Sequence, residues 1–296
     1  MKFTHLINPF RAEPGSAHAI ARPAVFASVR SALLKAAEAG LEIEVLAAAF
    51  PEDKYSVEPP ARLAGELKRS VQDVRRMRPV RRLPLFSDVL SVAHAFGAGS
   101  HVIYTNMDIS LAPVFYTTVA DLIGKEPSAA LAIKSWDLER TGGENGGAGE
   151  GLVAGAVMHG GFDCFVFPRD WVPTFELGAV CLGARWADAL LMANLDVRSE
   201  YHARVVRDAR ISFHHGPACH PAEQVAYEEH NLAEALRAMS KLRAMKRPQE
   251  DCQFAGIHRL MADEAGFSKR FARTLRRLNP RRLMPRGTTE PTRAAA

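Results

Sequence analysis

The feature that most constrains the fold is an alternation of short apolar stretches with longer amphipathic ones, which extends over roughly the first two thirds of the chain. The short stretches have the composition of strands, and the longer ones repeat apolar residues at helical spacing. We predict strands at 2–7, 41–46, 102–105 and 129–133 and helices at 23–39, 61–77, 85–96 and 113–123. This order predicts an α/β fold with a mostly parallel sheet covered by helices on both sides.

Polar and aromatic side chains follow three of the predicted strands. Asn8 and Phe10 follow the first strand, Asp53 follows the second, and Asn106 and Asp108 follow the strand at 102–105. Ligands of such sheets bind beyond the carboxyl ends of the strands. The sequence therefore predicts a ligand site at this edge.

The most informative of these strand ends is the segment YTNMDIS at 104–110. Asn106 and Asp108 are two positions apart, and in extended backbone such side chains point to the same side. A hard divalent cation takes oxygen ligands, often one or two carboxylates together with substrate phosphates. On spacing alone a metal site competes with capping of the next segment, which is the commoner role of Asn and Asp.

The net charge of +5 is concentrated near the C-terminus, where residues 268–287 contain eight basic residues and no acidic one. The rest of the chain is close to neutral, which argues against a nucleic-acid-binding body. Basic and apolar residues alternate at 267–286, so this segment either lies on an anionic membrane surface or forms a solvated helix.

The opening residues lack the long apolar region of a signal peptide, and no run reaches the roughly 20 apolar residues of a membrane span. We therefore expect a cytoplasmic protein that also makes peripheral contact with the inner face of the membrane.

We predict a catalytic domain at 1–221, a basic helical extension at 222–285 and a disordered tail at 286–296. The glycine-rich segment 141–151 is either a lid over the ligand or an inert surface insertion.

Two segments carry a resemblance to a known family. IYTNMDISLAPVFY resembles the segment that bears the metal-binding D-x-D motif in glycosyltransferases of the GT-A fold, and GFDCFVFPRDWVPTFELG is similar to a second segment of bacterial families of that kind. The resemblance implies a Rossmann-like GT-A sheet, a Mg²⁺ or Mn²⁺ ion at Asp108 and Asn106, and a nucleotide-diphosphate sugar as donor. Asn106 replaces the first acid of the motif, so an amide oxygen stands where the family has a carboxylate.

The same resemblance implies a late histidine that completes the cation's coordination. His214 and His215 precede a glycine, as that histidine often does, and neighbouring strand residues face opposite ways, so one of the two should reach the site. We slightly favour His215, because it lies at the strand exit next to Gly216. The alternatives are an ordinary structural histidine, or a zinc site that also uses Cys219 and His220.

The remaining site residues follow from the positions that the family uses. Asn8 and Phe10 are expected to contact the base, and Asp53 the base or ribose. Arg69 comes instead from the basic stretch 68–82; because guanidinium groups suit phosphate, we expect it to contact a diphosphate or an anionic acceptor. An inverting transfer needs a general base for the acceptor hydroxyl. The candidates are Asp163, Glu176 and Asp188.

The sequence thus predicts a metal-dependent glycosyltransferase of polysaccharide biosynthesis that moves a sugar from a nucleotide donor to a glycan or lipid-linked acceptor. One alternative is a nucleotidyltransferase, although residues 8–11 do not resemble the glycine-rich basic loop that such enzymes carry. The other alternative is a non-catalytic glycan-binding or scaffold protein that retained the fold, which the replacement at Asn106 leaves open.

Overall fold

The computed structural model describes residues 1–126, 129–137, 157–158, 160–215, 225–245 and 252–278. In chain order its strands are β1 (Lys2–Ile7), β2 (Glu42–Ala49), β3 (Arg62–Glu66), β4 (His101–Thr105), β5 (Ile109–Leu111), β6 (Leu131–Ile133), β7 (Trp136–Asp137), β8 (Val157–Met158), β9 (Cys164–Pro168), β10 (Arg204–Val206) and β11 (Ser212–His214). Its helices are α1 (Ala17–Glu38), α2 (Val71–Val74), α3 (Phe86–Phe96), α4 (Phe115–Lys125), α5 (Ala187–Arg198), α6 (Val225–Met245) and α7 (Gln253–Leu278). Short 3₁₀ segments occupy Pro51–Ser56 and Arg169–Thr174.

Among the described strands, seven form one sheet in the order β10-β6-β9-β4-β1-β2-β3. The pairs β1–β2, β1–β4, β2–β3 and β6–β10 are parallel, and β9 alone runs antiparallel to its two neighbours. The predicted α/β class with a mostly parallel sheet is therefore confirmed. Because β9 is reversed, its amino end lies at the edge where the parallel strands end.

A second sheet of four strands, in the order β5-β11-β7-β8, lies beside this edge. Its strands β5 and β7 follow closely after β4 and β6 of the large sheet. The strand β11 pairs antiparallel with β5 and parallel with β7, and so joins the two. The short strands β5, β7, β8 and β10 were not predicted, since two or three residues carry no readable period.

Helices cover both faces of the large sheet, as predicted. Along β1, Phe3 and Ile7 belong to the core beneath α1 and α4, while Leu6 belongs to the core beneath α3 and α5. The alternation of these side chains is the period of a strand buried on both faces. All three are at most 1% exposed, so the sheet is fixed from both sides.

The predicted helix at 61–77 is wrong. The chain forms β3 there and then only the single turn α2. The strand pairs with β2 at the sheet edge, and Gly65 packs so closely on Val92 that an added Cβ would lie 2.7 Å from a methyl carbon. Pairing and close approach to α3 thus override the helical period of the local sequence.

The helices α6 and α7 pack on the core beneath α5. The amide of Asn231, on α6, accepts from the backbone N–H of Cys181 at 2.9 Å and donates to its carbonyl at 2.9 Å. Asp196, on α5, accepts from the backbone N–H of Phe254 at 2.8 Å. The predicted domain boundaries stay predictions.

Several predicted features lie outside the described residues. These are the glycine-rich segment 141–151, the loop residues Cys219 and His220, and the tail 286–296; of the basic segment 267–286, the backbone of 267–278 is helical. Within the part of the chain that the structure describes, none of the helices combines the length and apolarity that crossing a bilayer demands.

Candidate functional site

The candidate site lies at the carboxyl edge of the large sheet, as the sequence predicted. Asn8 follows β1, Asn106 follows β4, and Lys134 follows β6. Asp163 immediately precedes the reversed strand β9, whose residue Cys164 pairs with Thr105 and Ile133. Four elements that are far apart in sequence therefore deliver polar side chains to one edge.

The centre of the site is the pair Asp108 and His214. Asp108 lies in the turn between β4 and β5, and the register of β5 with β11 sets His214 opposite Ile109. Nε2 of His214 is 3.5 Å from Oδ2 of Asp108, and its Nδ1 is 2.9 Å from Oδ1 of Asp137. The histidine is thus oriented by one carboxylate and directed at another.

The charges of this pair support each other. Burial alone would raise the pKa of Asp108, but the hydrogen bond and charge of His214, with a smaller contribution from His18, hold it below its ordinary value. Burial would lower the pKa of His214, but Asp108, Asp163 and Asp137 raise it to about 9. The two shifts therefore favour a protonated imidazole beside an ionised carboxylate.

One oxygen of Asp108 is left over. Its Oδ1 atom is buried and has no hydrogen-bond partner among the described residues. A buried carboxylate oxygen without a partner is costly, and a bound ion is one of the ordinary explanations for such an atom. The position and chemistry of Oδ1 fit a divalent cation that prefers oxygen ligands.

The described residues do not complete a metal shell by themselves. Within the described ranges, no group of three or more His, Cys, Asp or Glu side chains is arranged to hold a metal ion. Asp108 and His214 would supply two ligands, and oxygens of a phosphate ligand and water would have to supply the rest. The zinc alternative needs Cys219 and His220, which lie outside the described residues.

The expected convergence of Asn106 and Asp108 rested on an extended backbone and is corrected by the structure. Residues 107–108 form a turn and not a strand, so the rule that side chains two positions apart share a face does not apply to them. Asn106 Oδ1 accepts from the hydroxyl of Tyr104 at 2.9 Å, and its Nδ2 donates to Oδ1 of Asp163 at 3.1 Å. Asn106 therefore contacts the second carboxylate of the site, and its role as a metal ligand stays a prediction.

The preference for His215 over His214 is also corrected. Nε2 of His215 lies 2.6 Å from Oγ of Ser110, and its backbone N–H donates to the carbonyl of Asp108 at 2.8 Å. Burial lowers the pKa of His215. The two histidines face opposite ways as expected, but the register of β11 directs the first of them, His214, at the Asp108 carboxylate.

Tyr104 connects the three candidate carboxylates. Its hydroxyl is buried at the end of β4. Burial is the largest cause of its raised pKa, and the charges of Asp108, Asp163 and Asp188 each raise it further. All three carboxylates therefore lie within electrostatic range of one phenol. The sequence analysis placed Tyr104 only in a strand; the available signal was Asn106, two residues later, whose Oδ1 accepts the hydrogen bond of the Tyr104 hydroxyl.

Asp188, in the first turn of α5, is connected to the site by a hydrogen bond from the backbone of Phe162, the residue before Asp163. Its Oδ2 accepts from the N–H of Phe162 at 3.1 Å. Just before α5, Trp186 adopts a left-handed conformation with φ of 82°, which costs a large side chain about 1–3 kcal/mol. Strain of this kind is common where a fold has to aim functional groups.

Lys134 is a site residue that the sequence analysis missed. It is only 7% exposed, and its ammonium group donates to the carbonyls of Gly160 and Gly161 at 2.9 and 2.6 Å. The ammonium also lies 4.1 Å from the centre of the Phe162 ring. Burial and then Arg207 lower the pKa of Lys134, whereas Asp163 and Asp188 raise it. A lysine after a short apolar strand carries no signal that it will be buried.

The predicted nucleotide side lies around β1 and α1. Phe10 is 36% exposed and stands edge-on to His18, with ring centres 5.1 Å apart. Nδ1 of His18 is 3.8 Å from Oδ2 of Asp108. A small recess next to the Asp108 carboxylate is lined by Phe10, Ala12, His18, Arg22 and Met107.

The other two nucleotide candidates hold the backbone. Asn8 donates from Nδ2 to the carbonyl of Ala48 at 2.6 Å, and Asp53 accepts from the N–H of Arg11 at 2.8 Å. Burial raises the pKa of Asp53, and the hydrogen bond from the N–H of Arg11 lowers it by less, so the net shift is upward. Both residues join the loop after β1 to β2, and their contacts to a base stay predictions.

Two candidates are engaged elsewhere. Arg69 forms a two-pronged contact with Asp88, at 3.1 and 2.6 Å, and its side chain is 61% exposed. Glu176 pairs with Lys241 of α6 at 3.1 Å. The structure does not bring either of them to the Asp108 and His214 pair, so their roles as a phosphate ligand and as a base stay predictions.

Comparisons with known proteins give likenesses in structure alone. No family model and no curated protein matches the chain. The chain is similar to S. aureus TarS in complex with UDP-GlcNAc, with a TM-score of 0.46 and 10% identity, over 81% of this chain and 66% of that one. It is also similar to glucosyl-3-phosphoglycerate synthase from Mycobacterium tuberculosis in complex with Mn²⁺, uridine-diphosphate-glucose and phosphoglyceric acid, with a TM-score of 0.46 and 16% identity, over 80% and 79%. These values are low, and the function has to follow from the side chains of the chain itself.

Proposed function

We propose that this chain is a glycosyltransferase of the GT-A type, which transfers a sugar from a nucleoside-diphosphate donor to a hydroxyl of a glycan or lipid-linked acceptor. The observation that carries the proposal is the buried Oδ1 atom of Asp108, which lacks a hydrogen-bond partner among the described residues, beside the ring of His214. A site with two protein ligands suits a cation that also binds phosphate oxygens. Mg²⁺ and Mn²⁺ are the cations that we propose.

The proposed reaction breaks the bond between the anomeric carbon of the sugar and the diphosphate oxygen, and the diphosphate leaves with the bonding electrons. A divalent cation supplies positive charge for this leaving group. Asp108 and His214 would hold it, and Asp137 would keep the His214 ring in position through Nδ1. A carboxylate that orients a metal-binding imidazole in this way is a common arrangement.

The acceptor oxygen forms the new bond to the anomeric carbon, and its proton has to be taken up. Asp163 and Asp188 are the proposed proton acceptors for an inverting transfer, because both lie within electrostatic range of Tyr104 and Lys134. Substitution of Asp163 and of Asp188 by Asn, one at a time, distinguishes a proton acceptor from a residue that binds the donor. The proton acceptor should lose turnover and retain donor affinity, whereas a residue that binds the donor should lose both.

The recess beside Asp108 supports a position for the nucleotide. Phe10 offers a partly exposed ring, and Arg22 and His18 offer nitrogen donors near the place proposed for the diphosphate. Guanidinium groups match phosphate geometry well. Asn8 and Asp53 line the neighbouring strand exits, where we propose that the base and ribose bind.

The test is calorimetry of the full chain with uridine, guanosine and cytidine diphosphates, each with and without Mn²⁺. We expect one nucleotide to bind and its affinity to depend on the metal. If none of the three binds under either condition, the proposal is wrong and a scaffold role is favoured. A nucleotidyltransferase would instead release pyrophosphate from a nucleoside triphosphate and a sugar phosphate, which a pyrophosphate assay detects.

Two finer aspects remain part of the proposal. We propose that the protein acts in the cytoplasm in polysaccharide assembly. We also propose that the basic segment 267–286 lies near an anionic membrane face, because basic residues near such a surface each contribute about 1 kcal/mol of binding.

A further inference from the structure

A second basic segment, distinct from the C-terminal one, follows helix α2. We name residues 75–82 the basic loop; it contains five arginines and no acidic residue. Arg75, Arg76 and Arg78 are exposed and form no ion pair with any residue that the structure describes. These three charges have no evident role within the fold, and the loop is a candidate surface for an anionic partner.

The basic loop is held in place by buried polar groups. The hydroxyl of Tyr227 is buried, donates to the carbonyl of Pro79 at 2.6 Å and accepts from the N–H of Arg81 at 2.7 Å. Gln72 accepts from the N–H of Met77 at 3.0 Å. Hydrogen bonds thus fix the backbone at positions 77, 79 and 81, while the side chains of Arg76, Arg78 and Val80 are exposed.

Apolar side chains stand among the free arginines. Val74 is 51% exposed at the end of α2, and Val80 is 62% exposed within the basic loop. A dissolved polyanion gains little from contact with valine, whereas the boundary between lipid headgroups and acyl chains accepts apolar groups and basic groups together. Residues 74–82 contain no aromatic side chain, so the stacking platform that single-stranded nucleic acids use is missing.

The loop lies on the side of the sheet that carries the candidate site. It follows the carboxyl end of β3, and Arg82 reaches back to pair with Glu52. The Arg82 guanidinium also lies 4.1 Å from the centre of the Phe50 ring, at the exit of β2. A surface that docks through the basic loop is therefore next to the edge where Asp108 and Asp163 lie.

From these observations we propose that the basic loop is a docking surface for an anionic lipid bilayer. Arg75, Arg76 and Arg78 contact the headgroup phosphates, and Val74 and Val80 enter the interface. The inference rests on the proposed function only for its consequence, which is that the acceptor hydroxyl belongs to a molecule held in the membrane. Binding to the bilayer itself requires no sugar transfer.

The test is sedimentation of the full chain with vesicles of phosphatidylglycerol and phosphatidylcholine, compared with vesicles of phosphatidylcholine alone, at low and at physiological salt. We expect binding to the anionic vesicles only, weakened by salt. The variant R75Q/R76Q/R78Q should reduce the partition coefficient on the order of a hundredfold, at about fivefold for each basic residue. The variant V74S/V80S should reduce it by about fivefold.

Two matched variants locate the binding. K2Q/K35Q/R62Q removes three exposed charges at the opposite, amino edge of the sheet, and we expect it to bind vesicles as the wild type does. R273Q/R276Q/R277Q removes three charges of the C-terminal segment. In this variant we expect at least the part of the vesicle binding that comes from the basic loop to remain. Equal losses for the loop variant and the amino-edge variant would overturn the proposal, and so would a loss confined to the C-terminal variant.

A competition arm separates the bilayer from other anions. The assignment to lipid would be overturned by two results together: the protein binds soluble polyphosphate as tightly as anionic vesicles, and V74S/V80S does not change vesicle binding. The same protein samples enter the nucleotide calorimetry described above. Vesicle binding without nucleotide binding would overturn the proposed function alone, and nucleotide binding without vesicle binding would overturn the docking surface alone.

Discussion

The imidazole of His214 points at the carboxylate of Asp108 with 3.5 Å between Nε2 and Oδ2, and it does so because β11 pairs with β5 rather than because the two residues are close in the chain. The small sheet therefore sets the geometry of the candidate site. It brings the ring of His214 from late in the chain to the turn after β4, where the Oδ1 atom of Asp108 has no hydrogen-bond partner among the described residues.

Substitution of Asp108 by Ala should weaken metal-dependent nucleotide binding and leave the fold intact. In the proposed metal site the carboxylate is one of the two protein ligands, so we expect the affinity for the nucleotide with Mn²⁺ to fall by at least about tenfold. Calorimetry measures the affinity, and a thermal unfolding curve checks the fold. The control is Asp121→Ala, which removes an exposed carboxylate on α4. Wild-type affinity in the Asp108 variant would eliminate the proposed metal site.

The adjacent histidines provide a test in which each is the control of the other. His214→Ala should weaken Mn²⁺-dependent nucleotide binding by about ten- to a hundredfold, because it removes a ligand. His215→Ala should change it by less than about threefold, since that ring contacts Ser110 instead. The ratio of the two affinities, measured by titration with Mn²⁺, decides between them. A larger loss for His215 would mean that β11 is displaced by one residue in the working site.

The position of Asp108 just after a strand could be predicted from sequence, whereas the histidine that faces it could not. An apolar strand that ends in Asn and Asp is visible locally, and so is the approximate position of the late histidines. Which ring faces the site depends on the register of β5 and β11, and a shift of one residue turns every side chain to the other face. That register is set by pairing between segments that are distant in sequence, and a local sequence pattern carries no information about it.

Lys134 and β3 show the same limit in other forms. Lys134 becomes a site residue only because Gly160 and Gly161 bring their carbonyls to it from another part of the chain. The segment of β3 has helical apolar spacing, yet Gly65 has to lie against Val92 and the strand has to complete the sheet edge. In both cases tertiary contacts decide, and the local sequence is compatible with more than one outcome.

Substitution of Lys134 by Met should separate turnover from nucleotide binding. Met retains most of the side-chain volume but leaves the carbonyls of Gly160 and Gly161 without their donor, so the segment that leads to Asp163 should loosen. We expect a loss of about 1–3 kcal/mol in the free energy of unfolding, because two part-buried hydrogen bonds from a charged donor are removed. Donor turnover should fall by at least about tenfold, while the dissociation constant for nucleotide with Mn²⁺ stays within about threefold. Lys125→Met, on the exposed end of α4, is the matched control.

If the Lys134 variant loses nucleotide affinity as much as turnover, the lysine belongs to the donor side of the site. Unchanged turnover together with reduced stability would mean that the lysine holds the backbone and nothing more. Hydrogen exchange at the amide of Phe162, which donates to Asp188, reports the loosening directly. That amide should exchange faster in the variant than in the wild type.

The stability of the fold should decrease in mild acid because of His5. This residue is fully buried in β1, with its ring nitrogens 2.7 Å from the hydroxyl of Tyr116 and 2.9 Å from that of Thr105, and burial lowers its pKa to about 3. The unfolded chain binds a proton near pH 6.5 and the native state does not, so the free energy of unfolding falls as the pH drops from 6.5 towards 3. The slope from this one group is about 1.4 kcal/mol per pH unit, which is about 2 kcal/mol at pH 5.

Urea unfolding of the wild type and of His5→Gln at pH 7.0, 6.0 and 5.0 isolates this contribution, because all other titrating groups are shared by the two proteins. Gln retains a polar side chain between Tyr116 and Thr105 but has no proton to bind in this range. We expect the variant to be less stable at pH 7.0, since the packing is altered, and to lose less stability on acidification. The difference between the two proteins should therefore shrink by about 2 kcal/mol between pH 7.0 and 5.0. Parallel curves for the two proteins would show that the His5 ring gains a proton without opening the core.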